Sequence, residues 1–254
     1  MPVLTIGAVP AARRRPRRRW VLWGALVVAL VILAVALFNW PVLAARPPWA
    51  RPGNTLLASS AQEIDSARAQ LSRLRVVDRP LPAGDYRRAS FGEAWADTDG
   101  NGCNQRDDVL LRDALKAEPY RVARQGSCDH DVLAGTWIDP YTGGRITLTD
   151  AKQPDQAQSV QIDHVVALSV AWRYGANGWS DAERHQFAND LSNLVAAGGA
   201  ANQAKGGSDA EEWQPVRAAQ CGYAVRYVTV KATYGLPTDL VERAALTRML
   251  ATCP

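Results

Sequence analysis

Four cysteines in 254 residues, none of them in a C-x-x-C pair, leave no frame for a zinc site built from thiolates. No internal repeat runs through the chain, which argues against stacked-repeat architectures. No acidic residue precedes Glu63, and histidine occurs only at positions 130, 164 and 185. What chemistry the chain performs must therefore come from few groups.

The charge is as unevenly placed as the acids. The net charge of +4 and the pI near 9.0 suggest a basic protein. Yet Arg13, Arg14, Arg15, Arg17, Arg18 and Arg19 alone exceed that total, so the rest of the chain is slightly acidic. The high pI reports a basic tail over 1–19, and any nucleic-acid surface further on must be a local patch.

Trp20–Phe38 is an uncharged apolar run of 19 residues, long enough to cross a bilayer as a helix, with the arginines held on the cytoplasmic side. The other reading is a secretory signal cleaved after Val42-Leu43-Ala44. Both place the remainder outside the cytoplasm, as a single-pass membrane protein or a secreted one. The even number of cysteines agrees with export and implies two disulfides. Of three connectivities, Cys103–Cys128 with Cys221–Cys253 is favoured, because each pair then bounds one local segment.

Pro41, Pro47, Pro48 and Pro52 make a stiff linker, and Ser59–Val77 has helical spacing at Ile64, Ala67, Leu71 and Leu74. Residues 39–80 thus read as a linker and a stalk helix, the helix reading equally as the first of the domain, and 81–254 as the main domain. Within it, Val109–Lys116 reads as a helix. Val132–Ile138 and Arg145–Leu148 read as a hairpin about Asp139–Gly143. Ser180 with Glu183 makes a capping box, and Asp239 with Glu242 caps a last helix ending at Leu250. Trp172, Trp179, Trp213 and Tyr223 could stack on bases, but few basic residues interleave with them and core packing is the simpler use.

The most informative stretch is Gln161–Ser208. It opens with Asp163-His164 in an apolar strand, where neighbouring side chains point to opposite faces unless a bend or bulge turns them together. It continues to Asn193-Leu194, then Asn202, then Lys205-Gly206. Burying an Asp-His pair costs several kcal/mol, of order ~2–7 per unpaired polar group, unless partners or a metal compensate. Such a set suits phosphodiester hydrolysis: His164 to activate water, and Asp163 and Asn202 as hard oxygen ligands for one Mg²⁺.

D-H-V-V-x-x-S, N-D-x-x-N-L and N-x-x-K-G resemble the HNH (His-Me finger, ββα-metal) nuclease superfamily. The longer strings F-G-x-x-W-x-D-x-D-G-N-G-C-N-x-R-D-D-V-L-L-R-D, D-P-Y-T-G and A-N-Q-A-K-G are similar to secreted proteins related to the C-terminal domain of GmrSD-type restriction endonucleases. The likeness covers about Tyr86 to Cys253. It implies an α+β fold with a ββα-metal core and surrounding helices, and a metal-dependent endonuclease acting on DNA, or on RNA. His164 is then the general base, Asp163 and Asn202 the ligands of one Mg²⁺ or Mn²⁺, and Asn193 the residue that holds the loop or orients the histidine. Lys205 is expected to approach a phosphate. Ala167 replaces a common proline, and disulfides stand where many relatives use zinc.

Asp97-x-Asp99-x-Asn101-Gly102 with Asp108 in twelfth place matches the first half of a calcium loop. It reads equally as a turn held by Cys103, and Arg106 with Asp108 could instead brace the active site. The competing expectation for the whole protein is a non-catalytic, calcium-stabilised envelope module with a nuclease-like fold.

Overall fold

A computed structural model describes residues 59–254, Ala83 excepted. The basic tail, the Trp20–Phe38 segment and the proline-rich linker up to residue 58 lie outside the described residues. No helix among the described residues is long and apolar enough to cross a membrane.

The architecture is α+β. Helix α1, Ala61–Arg73, starts at a capping box of Ser60 and Glu63 and buries Ile64, Ala67 and Leu71. Those three side chains belong to the main hydrophobic cluster, and Val77 N–H donates to Thr238 O at 2.9 Å. Of the two readings of this stretch, stalk or first helix of the domain, the packing fits the second, because its apolar stripe finds the helix Arg217–Thr233 rather than solvent. A short 3₁₀ turn, Arg88–Phe91, leads to α2, Gln105–Asp113. This helix begins four residues earlier than periodicity implies, since the Asn104 side chain accepts from the N–H groups of Arg106 and Asp107.

Strands β1 (Arg121–Gln125), β2 (Cys128–Ile138) and β3 (Arg145–Leu148) form an antiparallel sheet in that order. The β2–β3 hairpin lies where its turn residues predict, while β1 carries no apolar alternation by which to recognise it. After the single turn α3 (Pro154–Ala157) comes β4 (Val160–His164), antiparallel to β5 (Leu194–Gly198). The long connection between them contains α4 (Leu168–Arg173), a 3₁₀ turn and α5 (Asp181–Asn189). Helix α6 (Gly199–Lys205) follows β5 directly, then α7 (Arg217–Thr233) and α8 (Leu240–Leu250).

The β4–β5 pair divides the core in two. Val160, Ile162, Leu194 and Ala196 pack with Val109, Leu110, Trp137 and Leu148 on the side of α2 and the three-stranded sheet. Val195 and Ala197 face the helical cluster of Tyr141, Tyr223 and Tyr227. Strand alternation thus aims successive residues into two different cores. Disulfides join Cys103 to Cys128 and Cys221 to Cys253, the sequential pairing. The first ties the Asp97–Cys103 loop to the start of β2, and the second ties α7 to the C-terminus.

Candidate active site

Register along β4 runs without a bulge from Val160↔Gly198 to His164↔Leu194. Asp163 and His164 therefore do point to opposite faces. They meet at one cleft, of about 550 Å³, because the strand ends at His164 and the cleft wraps that end. Arg88, Trp95, Arg106 and Asn202 share its walls.

His164 is only 5 % exposed. Its Nε2–H donates to Ala188 O at 2.8 Å, and Trp95 stacks on the ring at 5.8 Å between centroids and 16° between planes. With Nε2 committed as the donor, the neutral imidazole carries its lone pair on Nδ1. Nδ1 has no hydrogen-bond partner among the described residues. Burial pulls the pKa of His164 down to about 4, against smaller upward pulls from the Ala188 carbonyl and Asp163. The ring is an unprotonated base at neutral pH. Trp95 holds its stacking position at φ 60°, an unusual backbone for a bulky residue that costs of order 1–3 kcal/mol.

Asp163 lies on the other face. Its Oδ2 accepts from Tyr141 Oη and is 2.9 Å from Lys205 Nζ. Burial of the tyrosine, with Asp163 beside it, pushes the phenol well above its ordinary range, so it stays a donor. Oδ1 keeps no protein partner. Lys205 is 1 % exposed and also donates to His164 O at 2.8 Å. The expectation that Lys205 approaches a phosphate is therefore corrected. Its ammonium is turned inward and spent on the carboxylate and the backbone of the pair itself.

Asn193, expected to hold the loop or to orient the histidine, is fully buried and touches backbone. Its Oδ1 accepts from Val166 N at 2.9 Å and its Nδ2 donates to Val166 O at 3.1 Å. It locks the chain just after His164. Two further guanidinium groups fix the loop around it: Arg112 donates to the carbonyls of Leu191 and Leu194, and Arg226 to those of Leu191, Ser192 and Leu194. Burial, with Arg112 adding to it, lowers Arg226 to about 9.

Asn202 reaches the cleft from α6. Gly199 makes the tight entry to that helix possible, since a Cβ there would lie 2.2 Å from Gln158 O. Asn202 Nδ2 donates to Gln161 Oε1 at 2.8 Å, which leaves its carbonyl oxygen unengaged. Asp163 Oδ1 and Asn202 Oδ1 are thus two uncommitted hard oxygens on one cleft, a donor set that fits Mg²⁺ or Mn²⁺.

The acidic loop is held by hydrogen bonds of its own residues. Asp97 accepts from the N–H groups of Gly100 and Gly102, and Asp99 caps Asn101. Asp108 is drawn instead to His130 Nε2, at 2.8 Å, and to Asn101 Nδ2, at 3.0 Å. Backbone and side-chain donors within and beside the loop thus brace it as a turn, with Asp108 Oδ2 buried and without a hydrogen-bond partner among the described residues. Among the described residues, the only convergence of three His, Cys or acidic groups is Cys103, Cys128 and His130. The disulfide consumes both thiols there, so it offers no thiolate to a metal.

Tyr141, Trp95 and Arg88 were not singled out by sequence reasoning. The first two sit inside D-P-Y-T-G and F-G-x-x-W, strings whose glycines and acids read as turns. Trp172 and Tyr223 are core residues.

No solved structure matches this chain. An uncharacterized secreted protein of Arthroderma benhamiae is 39 % identical over 216 residues, covering 84 % of this chain and 94 % of that protein. The family model described as GmrSD restriction endonucleases, C-terminal domain, matches residues 104–249, which include β4, β5, α6 and every cleft residue named above except Arg88 and Trp95. This chain belongs to the family of the C-terminal domain of GmrSD restriction endonucleases.

Proposed function

We propose that the protein is an exported, divalent-metal-dependent endonuclease of HNH type that hydrolyses phosphodiester bonds of DNA, with RNA as a second substrate. The observation that carries this reading is the buried His164. It is held in one tautomer by Ala188 O and kept unprotonated by burial, at the end of a two-stranded hairpin that runs into α6. The antiparallel β4–β5 pair followed directly by α6 supports the reading of a ββα-metal core. Family membership supports the nuclease class.

In this reaction a water oxygen forms the new bond to phosphorus while the bond to the leaving oxygen breaks. His164 Nδ1 takes the proton the water gives up. A proton-transfer group so placed contributes about 10²–10⁴-fold. Asp163 and Asn202 would hold the metal ion, which supplies positive charge to the phosphate and the leaving oxygen. Tyr141 and Lys205 orient the Asp163 carboxylate so that Oδ1 faces the cleft. Asn193, Arg112 and Arg226 position the loop and are not in contact with substrate. Two disulfides and the secreted relative support an extracytoplasmic location, and Trp20–Phe38 serves export whether it stays as an anchor or is cleaved as a signal.

The test is cleavage of plasmid by the purified full-length chain with Mg²⁺ or Mn²⁺. His164→Ala is expected to lower the rate by about two to four orders of magnitude with the thermal midpoint little changed. Equal cutting by both proteins, or no cutting with either metal, would sink the assignment.

A further inference from the structure

The cleft carries positive charge that the hydrolytic step leaves unused. Arg88, from the 3₁₀ turn, and Arg106, from the first turn of α2, both line it. Neither guanidinium has a hydrogen bond or ion pair among the described residues. Several other arginines are occupied: Arg112 and Arg226 hold the Asn193 loop, Arg173 pairs with Asp209 and Glu212, and Arg243 donates to the carbonyls that end α1. The carboxylates nearest Arg106 are committed to others. Asp107 accepts from Val132 N and Asn104 Nδ2, and Asp131 pairs with Lys152 at 3.1 Å. Burial lowers the pKa of Arg106, against upward pulls from Asp107 and Asp131, as expected of a half-buried cation without a close counter-ion.

We infer that Arg88 and Arg106 form an anion subsite that grips backbone phosphates of a nucleic-acid strand beside His164. A planar fork donates two parallel hydrogen bonds to phosphate oxygens, and a partly desolvated fork does so more strongly than a free one. The subsite explains how a domain slightly acidic in sum can hold a polyanion: the charge is local and already in the cleft. It also selects the substrate class. A strand with several phosphates engages both arginines, whereas a small isolated phosphodiester engages fewer. The identity of the strand rests on the nuclease reading, while the anion subsite does not.

The experiment measures binding without cleavage. Fluorescence anisotropy of a labelled single-stranded DNA oligonucleotide is followed with the full-length chain in EDTA, across a series of KCl concentrations. Arg88→Gln and Arg106→Gln are each expected to weaken binding and to reduce the slope of log K against log salt by about 0.7. Arg106→Lys is expected to keep the slope and lose part of the affinity, because the charge stays and the fork is gone. Arg248→Gln, exposed on α8 and outside the cleft, is expected to change neither. Thermal melts confirm that each variant is folded. Unchanged affinity and slope in both glutamine variants overturn the subsite, as does an equal loss in Arg248→Gln. If His164-dependent cleavage is seen while the arginine variants bind normally, the subsite alone fails. If nothing is cleaved but the arginine effects are present, the subsite stands and the hydrolytic reading falls.

Discussion

Two clusters of buried charge in the domain are satisfied to different degrees. Between α7 and α8, Lys231 and Glu242 pair with both side chains fully buried. Lys231 also donates to Pro237 O at 2.9 Å and lies 3.6 Å over the Tyr174 ring, while Tyr227 Oη donates to Glu242 Oε1 at 2.6 Å. Each charge there is met by a partner. At the cleft, Lys205 and Tyr141 meet only one oxygen of Asp163, and His164 uses only one nitrogen. The second oxygen, the second nitrogen, the Asn202 carbonyl and two guanidinium groups have no partner among the described residues. A fully answered ionic cluster supports the fold. One answered on a single side is what a ligand site requires, since the unused valences are where substrate and ion bind.

That contrast can be broken from the structural side first. Lys231→Met leaves Glu242 as an uncompensated buried charge and should cost about 3–5 kcal/mol in urea unfolding. Lys231→Met with Glu242→Leu should recover much of it, because removing both charges removes the desolvation cost as well. A double variant no better than the single one would mean that the pair is needed for something other than charge balance.

A smaller effect sharpens the cleft side. Tyr141→Phe removes one donor to Asp163 Oδ2 and leaves the ring in the core. It should reduce metal affinity or cleavage by about 10–100-fold, the usual loss when a group supporting a metal ligand is removed. Stability should fall by no more than about 1.5–3 kcal/mol. A Tyr141→Phe protein that unfolds like wild type and cleaves like wild type would place Tyr141 in packing alone.

The smallest effect concerns the braced loop. Burial pulls the pKa of His130 down, but the carboxylates of Asp108 and Asp129 overcome this and raise it above the ordinary value. Asp108 is not correspondingly lowered: its own burial, with Oδ2 unpartnered, keeps its carboxyl raised. Because the folded imidazole holds its proton more tightly than the unfolded one, the stabilisation is complete below about pH 6.5 and is lost as pH rises through the raised value. The difference in stability between wild type and His130→Gln should be at most about 1 kcal/mol at pH 5.5 and should shrink by pH 8.5. A difference that grows with pH would reverse the assignment of the proton.

Much of the local structure was legible because its causes are local. Ser180 with Glu183 and Asp239 with Glu242 start their helices where the side chains can reach the free N–H groups. Asp139–Gly143 turns the β2–β3 hairpin, and the cysteines pair along the shortest connections. Other features depend on contacts distant in sequence. Lys205 reads as an exposed helix-end cation, yet it turns inward because Asp163, 42 positions earlier, needs a counter-charge. Arg112 and Arg226 come from separate helices to hold the carbonyls of one loop. No periodicity reports that.

The sequence by itself determined the family and the Asp163-His164 pair on a strand, because alternation and motif spacing are properties of consecutive residues. Only the tertiary structure decided that Asn193 serves the backbone, that Lys205 is a support and not a phosphate contact, and that the acidic loop is a turn braced by His130. It also decided that Arg88 and Arg106 stand unpaired beside the base. In each case the outcome turned on which polar group had a partner within reach once the chain was folded, and that is set by three-dimensional proximity.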